Sequence, residues 1–461
     1  MSSTAPSPDA LVGDPLYPRL KEHVVGSTGL AYYADKDADL ARRISHRLSS
    51  LGMRDCASYL DMLRNPIRGP AELDALIAEI TIGETYFFRH QEHFDALRDL
   101  VIPDLIARNP ARRSLRIWCA GCADGPEPYS LAILLKRDMA HHLLGWDVTI
   151  LGTDINRRCL ARAREGKFEE WAFRSTSEDL KRTCFGKEGR LWSIAPEYKE
   201  WVSFQYHNLV EHSFPSLLNN LFCFDLIVCR NVMIYFAPDL MQRMIEQFHD
   251  CLVPGAWLLV GPSEPNMNYF SSFRTVNAPG VTLYQKPDAE YVGQDDILRP
   301  IVSRPTGDEA DAASRPIDNR PQVDNLPHEV TLADVRHHAD QGEWESAARL
   351  CEQLLRKDNL NSVVHFYQAL VLGQMRRQDE AERSLRRAIY LDRQFVLAHY
   401  YLGIFLQSHG DLRLAARSFE NTLDLLRSRR DTDILADADG ITVAELKKLA
   451  KMHLEILLER G

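Results

Sequence analysis

Between about residues 114 and 286, short apolar runs alternate with amphipathic stretches, and this alternation constrains the 461-residue chain more than any other feature. The runs are 115–120, 148–153, 202–207, 224–229 and 257–260, and helical stretches such as 127–137, 159–165 and 240–251 lie between them. Strands separated by helices pair in parallel, because the chain must cross back to the same end of the sheet before the next strand begins. The segment is therefore expected to be a doubly wound α/β sheet. Such sheets bind ligands beyond the carboxyl ends of their strands.

The flanks read differently. After an expected flexible tail over 1–16, residues 17–100 form a helical N-terminal domain, with Leu40, Ile44, Leu48 and Leu51 at helical spacing. The tail lacks a basic start followed by an apolar stretch, so it does not read as a signal peptide. Residues 101–286 are assigned to the α/β domain. Residues 287–327 hold six prolines among Asp, Arg and Ser and read as a disordered linker.

From 328 to 461 the chain is helical again, and it repeats. Ala347, Ala381 and Ala415 are 34 residues apart, with Cys351, Leu385 and Phe419 four positions later. Twelve residues before each alanine come Val335, Ala369 and Gly403, where a small side chain lets two helices approach. A 34-residue period with these offsets resembles the tetratricopeptide (TPR) repeat. A terminal capping helix is expected after Thr442.

Composition narrows the class. A formal net charge of −10 argues against nucleic-acid binding, and no apolar run is long enough to insert into a membrane. Nine irregularly spaced cysteines suit reduced thiols, so a cytoplasmic protein is expected; a monomer is the expected state. Cys119 and Cys122 form a lone C-x-x-C with no second pair, and no metal site is assigned.

The segment from Ile117 to Ser130 runs from a strand through a small-residue loop into a helix. Gly121 and Gly125 would let the backbone pass close to a ligand, but the spacing is not that of a dinucleotide fingerprint. Asp154 ends the next strand, where a carboxylate can accept hydrogen bonds from both ribose hydroxyls of an adenosyl group. Taken alone, Asp154 is equally a helix N-cap. Together with the loop it points to an adenosyl cofactor. The loop leaves no room for a pyrophosphate, which favours S-adenosylmethionine over NAD.

Six blocks in order resemble the CheR-type chemotaxis-receptor methyltransferases over residues 17–286: Thr81-Ile-Gly-Glu-Thr-Tyr-Phe-Phe-Arg89, Gly125-Pro-Glu-Pro-Tyr-Ser130, Thr153-Asp-Ile-Asn156, Asn208-Leu209, the run from Phe224 to Phe236, and Gly261-Pro-Ser-Glu264. The resemblance implies transfer of a methyl group from S-adenosylmethionine to glutamate side chains of a methyl-accepting chemoreceptor, with S-adenosylhomocysteine as the other product. It implies cofactor contacts from Thr85, Arg89, Glu127, Asp154, Asn208, Leu209, Arg230 and Asn231. Arg89 and Tyr235 would border the methyl-transfer site. Gly83 departs from family members that carry asparagine there. The resemblance also implies a small antiparallel β subdomain at about 168–207, which in the family touches receptors, but the loop at 184–192 is short for docking a receptor-tail peptide.

Each assignment has a structural counterpart. Arg89 could be an interdomain salt bridge, Tyr235 a core aromatic, and Asn231 a residue that satisfies backbone groups in its turn. Lys21, Arg42, Arg43, Arg47 and Arg54 could offer a basic face to a receptor or form a solvated helix surface. A catalytically inactive scaffold that serves with the repeats as a protein-binding adaptor is the alternative function. The repeats would otherwise recruit or regulate the enzyme through a further protein partner.

Overall fold

The run Ser114–Ala120 (β1) is apolar at most positions because it is the central strand of a sheet covered on both faces. Leu115, Ile117 and Cys119 enter one core, and Trp118 and Ala120 enter the other. The computed structural model describes residues 6–212, 214–264, 269–288, 330–431, 433–435 and 441–460. Its strands continue as β2 (Asp147–Asp154), β3 (Lys167–Phe168), β4 (Phe185–Glu188), β5 (Leu191–Ile194), β6 (Val202–Tyr206), β7 (Phe224–Cys229), β8 (Leu252–Val260), β9 (Arg274–Ala278) and β10 (Val281–Gln285).

The seven-stranded sheet has the order β6-β2-β1-β7-β8-β10-β9. Its first five strands are parallel, β10 is antiparallel to β8, and β9 is antiparallel to β10. From β1 the chain winds outward through β2 to β6, then returns to β7 on the other side of β1. This reversal opens a crevice at the carboxyl ends of β1 and β7. A second, three-stranded antiparallel sheet, β3-β5-β4, is the expected small subdomain. It ends at Ile194, whereas residues 202–206, expected within it, form the edge of the main sheet, paired with β2.

Two further boundaries differ from expectation. The tail assigned to 1–16 is packed from residue 6: Ser7 caps a short helix, Pro8–Val12, whose Leu11 is buried against the N-terminal helices. The helical domain, expected to reach residue 100, gives way earlier. Phe94, Leu97, Val101, Ile102 and Leu105 are apolar on the side facing the sheet and are buried in its core. Residues 289–327, most of the expected linker, lie outside the described residues.

In the N-terminal domain, helices Tyr17–Thr28, Asp37–Leu51, Cys56–Arg64 and Gly69–Ile80 enclose Leu40, Ile44 and Leu48. Four of the five expected basic-face cations are paired within the chain. Lys21 meets Asp37, Arg42 and Arg43 meet Asp39, and Arg47 grips Glu72 through two bonds of 2.9 and 2.7 Å. Tyr59 donates to the same Glu72, which is buried.

The C-terminal region consists of the helix pairs Leu332–Asp340 with Trp344–Lys357, Ser362–Gln374 with Gln378–Leu391, and Val396–Ser408 with Leu412–Leu426, followed by Val443–Arg460. Ala347, Ala381 and Ala415 are all buried at equivalent places, so this is a TPR-type stack. A Cβ on Gly403 would sit 2.7 Å from the Phe419 ring, which explains the small residue at that offset. The stack docks on the loop before β7. Leu217 N–H donates to Asp340 (2.9 Å), Phe222 meets Trp344 edge-on, and Leu218 is buried in the repeats' core.

Candidate active site

All nine sequence-predicted residues, Thr85, Arg89, Glu127, Asp154, Asn208, Leu209, Arg230, Asn231 and Tyr235, line one cleft at the crevice beside β1, β2 and β7. Its floor follows from the strand–loop–helix at β1. Gly121 adopts φ +78°, and a Cβ there would lie 2.4 Å from Val232. Gly125 adopts φ +93° at the start of the helix Pro126–Asp138, with Ala163 at 2.9 Å from its would-be Cβ. Both glycines are thus demanded by protein packing, and Gly121 also faces the cleft.

Asp154 is not the helix cap. Asn156 caps the helix Arg157–Glu165, accepting from Arg158 and Cys159 N–H. Asp154 accepts from Ala123 N–H (2.9 Å) and Asn156 N–H (2.7 Å), which fixes its carboxylate at the cleft. Burial pushes it up to about 6, against these hydrogen bonds. Each oxygen retains a lone pair for a further donor.

Glu127 is held by Arg230 (3.1 Å), and burial pushes it also up to about 6 despite that partner. Arg230 is buried and reaches the carbonyl of Arg89 as well, so it ties the turn at residue 89 to the sheet. Arg89 donates to the Glu84 carbonyl (2.9 Å), and its guanidinium lies 5.5 Å from the Tyr86 ring. Among the described residues it meets no carboxylate, so it is not the interdomain salt bridge.

Asn208 is buried, and its amide is engaged on both sides. Oδ1 accepts from Val210 N–H (3.0 Å), and Nδ2 donates to the Ser27 carbonyl (3.1 Å). It straps the helical domain to the sheet as well as lining the cleft. Leu209 beside it is buried, and Thr85 is half-buried. Tyr235 is half-exposed and stands edge-on to Tyr32, with centroids 5.6 Å apart. It stands in the cleft wall and also packs against the core of the helical domain.

Two contributions were missed by sequence reasoning. The helical domain sends Thr28, Leu30, Tyr32 and Tyr33 to the cleft, a long-range contact that local patterning does not carry. The other is Glu264, present in a quoted motif but given no role. Its carboxylate accepts from the N–H groups of Asn231 (2.9 Å), Val232 (2.8 Å), Met233 (2.8 Å) and Gly261 (2.5 Å). The turn after β7 is therefore satisfied by Glu264, not by Asn231, which sits at φ +59°.

The cleft suits a polar ligand. Arg89 Nε, Arg230 Nε and Asn231 Oδ1 are buried there without a partner, a rare state for polar atoms in a folded chain. Among the described residues no cluster of His, Cys, Asp or Glu could hold a metal, and no helix is long and apolar enough to cross a membrane.

Residues 16–81 match the family described as CheR methyltransferase, all-alpha domain, and residues 83–280 match CheR methyltransferase, SAM binding domain. A chemotaxis protein methyltransferase of Borreliella burgdorferi is 33% identical over 249 residues, 53% of this chain and 86% of that one. One from Listeria innocua is 32% identical over 240 residues, 52% of this chain and 86% of its own length. A probable biofilm formation methyltransferase, WspC, of Pseudomonas aeruginosa is 25% identical over 393 residues, 81% of this chain and 90% of that protein, so this match runs on into the repeats. With the crevice, the fixed carboxylate of Asp154 and the strapped helical domain in place, these matches show that the chain belongs to the CheR family of S-adenosylmethionine-dependent methyltransferases.

Proposed function

We propose that the chain methylates glutamate side chains in the cytoplasmic part of a methyl-accepting chemoreceptor, forming methyl esters and releasing S-adenosylhomocysteine. One observation carries this reading: residues from five separated motifs and from the helical domain converge on a single cleft at the sheet's reversal point. The names of the chemotaxis relatives support the substrate class.

S-adenosylmethionine supplies an electrophilic methyl group on a sulfonium. Asp154 is suited to accept from the ribose hydroxyls, while Asn231 Oδ1 and Arg89 Nε are the unfilled polar partners for the rest of the cofactor and for the substrate. A substrate glutamate, ordinarily titrating near 4.3, is already ionised at pH 7, so the site needs no general base. Its task is to align the carboxylate and strip it of water. Arg89 orients a carboxylate at the cleft mouth, that of the substrate or of the cofactor's amino-acid part. Tyr235 and Tyr32 form an aromatic wall suited to a sulfonium.

Labelled-methyl transfer to a panel of receptor cytoplasmic fragments tests the reading, with release of the label by mild base as the mark of an ester. Label that resists base, or no transfer to any fragment, removes the glutamate assignment. Calorimetry with S-adenosylmethionine and S-adenosylhomocysteine separates this from the adaptor alternative, for which neither would give heat.

A further inference from the structure

A second, larger groove lies between the repeats and the catalytic domain and encloses about 1260 Å³. That is above the roughly 300–1,000 Å³ usual for small-molecule pockets and suits a polypeptide segment. One wall is the helix Arg157–Glu165 with Tyr206 at the end of β6, and the other is formed by helices Val396–Ser408 and Val443–Arg460. The two walls are held in place by the Leu217–Asp340 hydrogen bond and the Phe222–Trp344 ring contact.

The groove's charge is opposite to that of the chain. The whole protein carries −10, yet among the described residues Arg157, Arg164, Lys447, Lys448 and Lys451 line this surface against a single acid, Asp431. Lys447 pairs with that acid at 2.7 Å, and Arg157 pairs with Asp74 across the domain boundary. Among the described residues, neither Arg164 nor Lys451 meets a carboxylate, and both are exposed. Between the cations lie Tyr401, Ile404 and Phe405. Basic side chains spaced around an aromatic and aliphatic strip complement an acidic, amphipathic segment.

We propose that this groove binds an acidic segment of a partner protein, one whose carboxylates alternate with large apolar side chains, clamped between repeats and catalytic domain. The assignment does not depend on which residue the enzyme methylates, since binding is read without turnover. The probe is a fluorescein-labelled 18-residue peptide with glutamates on one helical face and Leu and Phe on the other, measured by anisotropy with the full chain. Saturable binding is expected, weakened at least about tenfold by Lys448→Glu with Lys451→Glu, and falling as salt rises. The paired change Lys187→Glu with Arg190→Glu, also exposed but not lining the groove, should leave it unchanged. Retained S-adenosylmethionine binding in both variants checks that they fold.

Equal loss in both paired variants, or equal binding of a lysine-for-glutamate peptide, would show general stickiness and overturn the proposal. Binding that emerges only after removal of residues 289–329 would make the chain's own segment the occupant. A concentration-dependent dimer that the peptide fails to dissociate would make it a second copy. Either result would also end the partner assignment.

Discussion

Under the proposed assignment of Asp154 to the ribose hydroxyls, one proton links its acid strength to cofactor affinity. Its carboxyl is pushed up to about 6 by burial, and Glu127 across the cleft reaches about the same value. Only the ionised form offers Asp154's full acceptor capacity to ribose hydroxyls. S-adenosylmethionine affinity is therefore expected to fall as pH drops from 7 to 5, measured by calorimetry. Asp154→Asn should lose about 10- to 100-fold in affinity at pH 7, the range for a hydrogen bond to a charged group, and flatten Asp154's part of that dependence. Asp154's contribution to the stability of the unliganded protein has the opposite sign. A carboxyl raised above its unfolded value contributes most below about pH 4, and that contribution fades as pH rises through about 6. Glu264 acts by position rather than by charge transfer. Glu264→Gln turns an all-acceptor group into one with a donor facing N–H groups, leaving at least one buried N–H unpaired at about 1–3 kcal/mol. Urea denaturation should show that loss. The displaced turn should lower kcat more than it raises KM for the cofactor.

Elements formed where local pattern and tertiary demand agree. β1, β2 and β7 were legible because central parallel strands are apolar almost throughout, and the repeat helices because their small residues recur every 34 positions. The helix Gln91–Ala96 and its continuation to Arg108 were assigned partly to the wrong domain, since an amphipathic helix does not announce which core its apolar face will meet. Likewise, the arginines of Asp37–Leu51 read equally as a receptor-facing basic face or a solvated surface, whereas Arg47 turns inward to Glu72. Of the site, the residues carried by motifs were readable, whereas the tyrosines from the helical domain were not, because nothing near Tyr32 in sequence marks its distant partner Tyr235. Close packing of the loop after β1 gives a direct test. Gly121→Ala places a Cβ against Val232 at a left-handed backbone, and a loss of about 1–3 kcal/mol with weakened cofactor binding is expected by thermal denaturation and calorimetry. Gly403→Ala, against Phe419, should destabilise the repeats to a similar extent of about 1–3 kcal/mol and leave cofactor affinity unchanged.

Across the whole molecule, the helical domain, sheet and repeats are joined by few but specific contacts. Asn208 reaches Ser27, Asn156 donates to Thr81, Arg157 meets Asp74, and the loop before β7 seats the repeats. We expect a chain ending near residue 327 to bind S-adenosylmethionine with unchanged affinity, since none of the cleft residues comes from the repeats. It should methylate a different set of receptors, measured on the same fragment panel. Unchanged receptor choice would argue against a recruiting role. The shortened chain should also lose solubility, because Leu217, Leu218 and Phe222 are buried with repeat residues in the full chain.

Leu218 belongs by sequence to the enzyme and by packing to the repeats. An engineer who transplants these helices onto another methyltransferase by cutting at the proline-rich stretch would therefore sever the graft from its own anchor. The portable module is discontinuous: the C-terminal helices together with the hairpin bend ahead of the fourth parallel strand, which must travel with them.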